Sequence, residues 1–182
     1  GSVLGPHVVI EGPTVLGKRN HIIGQCAIGT IPQDLKFKGE RTTLTIGDDN
    51  VIREFVTINR GTSGGGASTT IGDGNLLMTG VHIAHDCHVG HRTILANSAT
   101  LAGHVEIHDD STVGAFSGVH QECRVGVHAF IGGYSVITRD ALPFVKTVGH
   151  RNQARIYGVN RLGLERCNFS SGRIEFLSRA YR

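Results

Sequence analysis

Every sixth residue from Ile71 to Ile137 is aliphatic: Ile71, Leu77, Ile83, Val89, Leu95, Leu101, Ile107, Val113, Val119, Val125, Ile131 and Ile137. That period matches neither a helix nor a half-buried strand, whose side chains repeat every 3.6 and 2.0 residues. It matches a short strand plus a corner, and turn-tolerant glycines follow several anchors, as in Val89-Gly90, Val113-Gly114, Val125-Gly126 and Ile131-Gly132. Three such units close one triangular coil. The spacing therefore predicts an all-β solenoid in which residue n stacks on residue n+18, about 4.8 Å away.

The same phase runs upstream through Leu4, Ile10, Leu16, Ile22 and Ile28 and resumes at Ile46, Ile52 and Ile58. Residues 30–43 lack the signature and read as a loop thrown out from the solenoid in the room of one coil. A glycine-rich run, Ser63 to Ser68, shifts the phase by one and marks a second excursion near 61–70. No Lys-Ser/Thr follows its glycines and no helix is signalled, so a plain turn is favoured over a phosphate cradle. The repeat domain is expected over 3–140, ending where Pro143 cannot continue a paired strand. A partly helical extension follows over 141–182, with candidates at Val159 to Arg166 and from a Ser170-Ser171 cap, the latter carrying Ile174, Leu177 and Tyr181 on one face. Both ends read as trimmed, since the first hexad begins almost at residue 1 and the last helix runs to the chain end.

The 182 residues carry a formal net charge of +3. That is too small and too dispersed to indicate a nucleic-acid partner. No apolar run approaches a membrane span and no signal peptide is visible, which suggests a cytoplasmic protein. The four cysteines lack Cys-x-x-Cys spacing; Cys26, Cys87 and Cys123 each follow an aliphatic anchor by four residues, a slot for small core side chains, while Cys167 stands outside the repeat. A triangular solenoid has flat sides and open strand edges, so a homo-oligomer is expected, a homotrimer with parallel axes, with any active site able to lie between subunits.

Seven of the eleven histidines fall between residues 82 and 120. Stacking by eighteen aligns His85, Gly103 and Gln121 in one column and Asp86, His104 and Glu122 in the next, with His120 beside both. His88, His91 and His108 read instead as solvated corner residues. The cluster suits either proton transfer or a metal. A neutral imidazole with an ordinary pKa near 6.5 takes a proton from a sugar hydroxyl, and an adjacent carboxylate orients it. The Gly103 N–H, free of a side chain, is the kind of donor a developing oxyanion needs. A metal site needs three converging ligands; the hexapeptide-class zinc hydratases use two histidines five residues apart, and no such pair occurs here.

The segments Ile31-Pro32-Gln33-Asp34-Leu35-Lys36, Thr57-Ile58-Asn59-Arg60-Gly61-Thr62, Asp73-Gly74-Asn75-Leu76-Leu77-Met78, His82-Ile83-Ala84-His85-Asp86-Cys87, Leu101-Ala102-Gly103-His104-Val105 and Val119-His120-Gln121 resemble those of the UDP-N-acetylglucosamine O-acyltransferases that open lipid A biosynthesis. The likeness covers almost the whole chain. It implies a left-handed parallel β-helix with a short C-terminal α-helical segment, a homotrimer, and transfer of an (R)-3-hydroxyacyl group from acyl carrier protein to the glucosamine 3-hydroxyl of UDP-GlcNAc. No metal or organic cofactor is implied.

Carried over by position, the resemblance makes His85 the general base, Asp86 its partner and Gly103 the oxyanion donor. Asp34, Lys36, His82, His104, His120 and Gln121 would hold the sugar nucleotide or line the cleft, Gly133 would set acyl length, and Asn160 and Arg166 would contact the nucleotide. Departures lie at Glu122 (usually Phe), Leu162 (usually acidic), Glu165 (usually basic) and Cys167 (usually Arg), with two extra residues between Gly149 and Asn160. N-acylation of a 3-amino UDP-sugar and a non-catalytic sugar-nucleotide-binding role stand as alternatives.

Overall fold

The computed structural model describes residues 1–149 and 154–181; the expected two-residue insertion before Asn160 falls in part outside the described residues. Strands of two to five residues stack into three faces of nine, seven and six strands, paired in parallel except for Arg155–Val159 at the end of the first. The chain visits the first face, then the second, then the third, and returns. Pairs such as Leu77 with Leu95, Ile83 with Leu101 and Val89 with Ile107 are eighteen positions apart, the stacking that the hexads require. Within each strand one residue points in and its neighbour points out, so the anchors fill one continuous core in which Ile28, Ile52, Ile58, Leu77, Ile83, Leu95, Leu101 and Ile131 are fully buried. Cys26, Cys87 and Cys123 are buried in it as free thiols, and burial pushes the Cys87 thiol up to about 12.

The faces meet at three corners in chain order: the first joins faces one and two, the second faces two and three, and the third faces three and one. Corner residues such as Asp86, His104, Asp110, Glu122, His128 and Tyr134 adopt left-handed backbone at φ 56–64°, repeated coil after coil. At the third corner a polar ladder that the hexads do not announce runs beside the core. Asn20, Asn50 and Asn75 are buried. Each side-chain oxygen accepts the N–H of the residue in the next coil, Asn50, Asn75 and Thr93 in turn, at 2.8–2.9 Å, while the amides donate to the carbonyls of Gly47, Gly72 and Gly90.

Both excursions leave from the second corner, between strands of the second and third faces. The first does not take the room of a coil. Leu16 pairs with Ile46, thirty positions on instead of eighteen, so residues 31–42 add twelve residues to an otherwise unbroken turn of the stack. The second adds seven, since Ile52 pairs with Leu77. It is shorter than expected because Ser68–Ile71 is already a strand.

The stacking also outlasts the hexads. Ala141 bridges to Val125 and Val145–Val148 pairs in parallel with Phe130–Ile131, so the β-structure passes the boundary expected at 140. Pro143 is tolerated because it sits in a corner, packed over Gly126, where no ladder N–H is needed. Arg155–Val159 then returns antiparallel to Val145–Val148. The first helix expected from Val159 therefore begins later. Val159 belongs to a strand, and Asn160 caps helix α1 (Arg161–Arg166) by accepting the Gly163 N–H. Helix α2 (Ser171–Ala180) starts after the Ser170 cap and buries Ile174, as its pattern indicates. Among the described residues no helix is long and apolar enough to cross a membrane.

Candidate active site

His85 follows the second-face strand His82–Ile83, on the second corner. Its Nδ1 lies 2.8 Å from Asp86 Oδ2, and its side chain is 14% exposed against 0% for Asp86. A fully buried carboxylate is costly unless its oxygens are satisfied. Here the Thr62 N–H donates to Oδ1 at 2.8 Å and the Thr62 hydroxyl to Oδ2 at 2.6 Å, while the Asp86 N–H donates to Thr69 Oγ1. With Nδ1 turned to the carboxylate, Nε2 is left for a substrate proton.

Two glycines make this packing possible. A Cβ on Gly103 would stand 2.6 Å from His85 Cε1 and 2.9 Å from Nε2, so the imidazole lies in the space that any side chain at 103 would take. A Cβ on Gly65 would fall 2.1 Å from Asp86 Cγ. The glycine-rich run is thus more than a turn: as a 3₁₀ segment (Ser63–Gly65) it closes over the Asp86 carboxylate. Sequence reasoning missed Thr62, Gly65 and Thr69, and the one available signal was that the run lies between two strands leading to the histidine corner.

His104 lies one coil on, its ring edge-on to that of His85 at 5.2 Å and its Nε2 3.9 Å from Asp86 Oδ2. The ligand atoms of His85, Asp86 and His104 lie within 4.8 Å of one another, so the same three side chains have the makings of a metal site. The Asp86 oxygen nearest both rings already accepts from Thr62 and pairs with His85, which suits proton transfer better. His82, on the outward side of its strand, meets Thr57 Oγ1 at 2.7 Å through Nδ1, and burial lowers its pKa, keeping the ring neutral. His120 and Gln121 are exposed on the same corner two coils beyond His85, with His120 Nδ1 3.3 Å from the Gln121 carbonyl.

The long loop folds back over this corner. Asp34 Oδ1 accepts the Lys36 N–H at 2.9 Å. The loop base is tied down where Asn59 Nδ2 donates to the Ile31 carbonyl and the Arg60 guanidinium stacks on Phe37 at 5.7 Å. Asp34, Lys36, Glu40, Ser63, His104 and Glu122 line one cavity of about 340 Å³. Glu40 is anionic there, held below the usual carboxylate range chiefly by the Lys38 N–H.

The remaining expected residues are elsewhere. Gly133 is on the first corner, against the Ala115 carbonyl, beside Tyr134, which stacks on Phe116 at 5.1 Å. Asn160 is at the third corner, where its Nδ2 donates to the His128 carbonyl at 3.1 Å, and Arg166 is exposed at the end of α1. One chain therefore spreads the expected site over three corners, and only the second gathers its members.

The repeat and the corner site define a class that comparison with known proteins identifies. Residues 68–103 match the bacterial transferase hexapeptide family (six repeats), and residues 140–182 match the second domain of UDP-N-acetylglucosamine O-acyltransferase. Proteins named acyl-[acyl-carrier-protein]--UDP-N-acetylglucosamine O-acyltransferase are 53% identical in Xylella fastidiosa and 51% in Stenotrophomonas maltophilia strain K279a. Each alignment covers 91% of this chain, but only 62% and 63% of the respective relatives. The structure of LpxA from Acinetobacter baumannii superposes with a TM-score of 0.92 at 43% identity, covering 98% of this chain and 70% of that one. The chain belongs to the UDP-N-acetylglucosamine O-acyltransferase family, and its fold is the left-handed parallel β-helix of that family. It spans less than two thirds of the length of these curated relatives.

Proposed function

We propose that this chain transfers an (R)-3-hydroxyacyl group from acyl carrier protein to the glucosamine 3-hydroxyl of UDP-N-acetylglucosamine, the first step of lipid A biosynthesis, in the cytoplasm. The observation that carries this reading is the His85–Asp86 dyad, locked at 2.8 Å, backed by Thr62 and packed into the space left by Gly103. The names of the relatives support the same chemistry.

His85 Nε2 accepts the proton of the 3-hydroxyl as its oxygen attacks the thioester carbonyl. The Gly103 N–H, which has no hydrogen-bond acceptor among the described residues, donates to the oxygen as charge develops. Asp86 fixes the imidazole tautomer and faces the imidazolium. Collapse of the tetrahedral intermediate breaks the carbon–sulfur bond, and the imidazolium returns its proton to the departing thiolate. No covalent acyl-enzyme is needed. Asp34, Lys36, His82, His104, His120 and Gln121 position the sugar nucleotide in this reading.

Gly133, Asn160 and Arg166 enter the site from neighbouring subunits of a homotrimer. The three corners point apart in one chain, and a threefold assembly with parallel axes brings unlike corners together. A second reading, N-acylation of a 3-amino UDP-sugar, is favoured by Glu122, which joins Asp34, Glu40 and Lys36 in the cavity lining and gives it more carboxylates than lysines and arginines among the described residues. The test is turnover of (R)-3-hydroxyacyl carrier proteins with UDP-GlcNAc and with its 3-amino analogue. His85→Ala is expected to lower kcat by about 10²- to 10⁴-fold with the fold intact. Turnover unaffected by that change refutes the general base, and no turnover with either acceptor leaves a sugar-nucleotide-binding role.

A further inference from the structure

The third corner brings together three side chains that the acyl-transfer reading does not use. Asp110 and His128 occupy successive coils, and Cys167 reaches them from the end of α1. One ligand atom from each lies within 4.8 Å of the others. His128 Nε2 is 3.8 Å from Asp110 Oδ2. That is too long for a hydrogen bond and a few tenths of an ångström beyond the separation of a nitrogen and an oxygen donor sharing one tetrahedral zinc, about 3.3–3.5 Å from the usual bond lengths.

The His128 side chain is only 12% exposed, yet neither ring nitrogen has a hydrogen-bond partner among the described residues. Its ring is held by Phe144, stacked at 5.6 Å, and by Phe169, edge-on at 4.9 Å. Asp110 is held by Arg92, through Nε to Oδ1 at 2.8 Å and Nη2 to Oδ2 at 2.9 Å. Hydrogen bonds of this kind orient a metal-binding carboxylate. Cys167, pinned by its N–H to the Gly163 carbonyl, is exposed and completes an imidazole, carboxylate and thiol set with a solvent-facing side.

We infer that Asp110, His128 and Cys167 form a binding site for a thiophilic divalent transition metal, zinc in the first instance, which bolts the C-terminal helical segment to the β-helix. Nitrogen, oxygen and sulfur donors at these separations suit tetrahedral zinc with water as fourth ligand. On binding, the Cys167 S–H gives its proton to solvent and the thiolate forms the metal–sulfur bond, so affinity rises with pH. The role is structural and does not depend on the acyl-transfer reading.

Titration with Co²⁺ tests this, because only a thiolate ligand gives a near-ultraviolet sulfur-to-cobalt charge-transfer band; the His85 corner has no cysteine among its grouped ligands. The wild-type protein is expected to show the band at one equivalent, with zinc competing it away and raising the melting temperature. Cys167→Ser should abolish the band and the thermal shift, and His128→Asn should weaken zinc binding by at least about tenfold. Circular dichroism establishes that each variant is folded. No band in the wild type, or a band that survives Cys167→Ser, overturns the assignment.

Discussion

At the residue scale, the candidate site depends on what is missing as much as on what is present. Gly103→Ala would place a methyl group where the His85 imidazole now lies. The ring swings away more easily than the coil deforms, so the expected result is a loss of about 10²-fold in kcat at nearly unchanged melting temperature. Thr62→Val removes the hydroxyl bond to Asp86 while keeping the backbone bond. A hydrogen bond to a buried charge contributes about 1.5–3 kcal/mol, and the loss should appear both in denaturant stability and in kcat. His82 supplies a pH test. Burial holds its folded pKa below its unfolded value, so the unfolded chain binds a proton that the folded one resists. Its contribution is intact above the unfolded pKa, about 6.5, and is lost as pH falls from there toward the folded value. Denaturation across that window is expected to be less steep in pH for His82→Gln than for the wild type.

At the element scale, the aliphatic sixth residues were legible because each strand offers the core one inward position per face and tolerates little else there. The helical segment was partly legible. Ser170 and the Ile174 stripe announce α2, whereas Asn160 was hidden as a cap because Val159 extends the apolar pattern across the strand end. The site was legible where it obeys the eighteen-residue stacking, as His85, Asp86, Gly103 and His104 do. Thr62 was not legible, because the seven extra residues of its loop take it out of register with the column it supports. The asparagine ladder escaped for the same reason, its members being thirty and twenty-five positions apart. Asn75→Ala deprives the Thr93 N–H and the Gly90 carbonyl of their partners in the interior. A destabilisation of about 1–3 kcal/mol per orphaned group is expected by chemical denaturation. Asn75→Asp should not rescue it, since a carboxylate cannot donate to that carbonyl.

At the scale of the whole molecule, the proposed assembly makes a sharp claim about where activity resides. If Arg166 serves the His85 of a neighbour, His85→Ala and Arg166→Ala damage different corners of different subunits. Co-expressing the two should then restore about a quarter of the wild-type sites by random mixing in the trimer. A site contained within one chain would give no recovery, and light scattering on the same samples reports whether three chains associate. The two insertions, of twelve and seven residues, show how such a protein can change. Each departs from and returns to the same edge of the prism, and the strands on either side meet as though nothing had intervened. The scaffold therefore behaves like a bound spine with loose leaves: the lengths and letters of the leaves are open to revision by selection, for a new sugar or a new chain, without any page of the spine being reset.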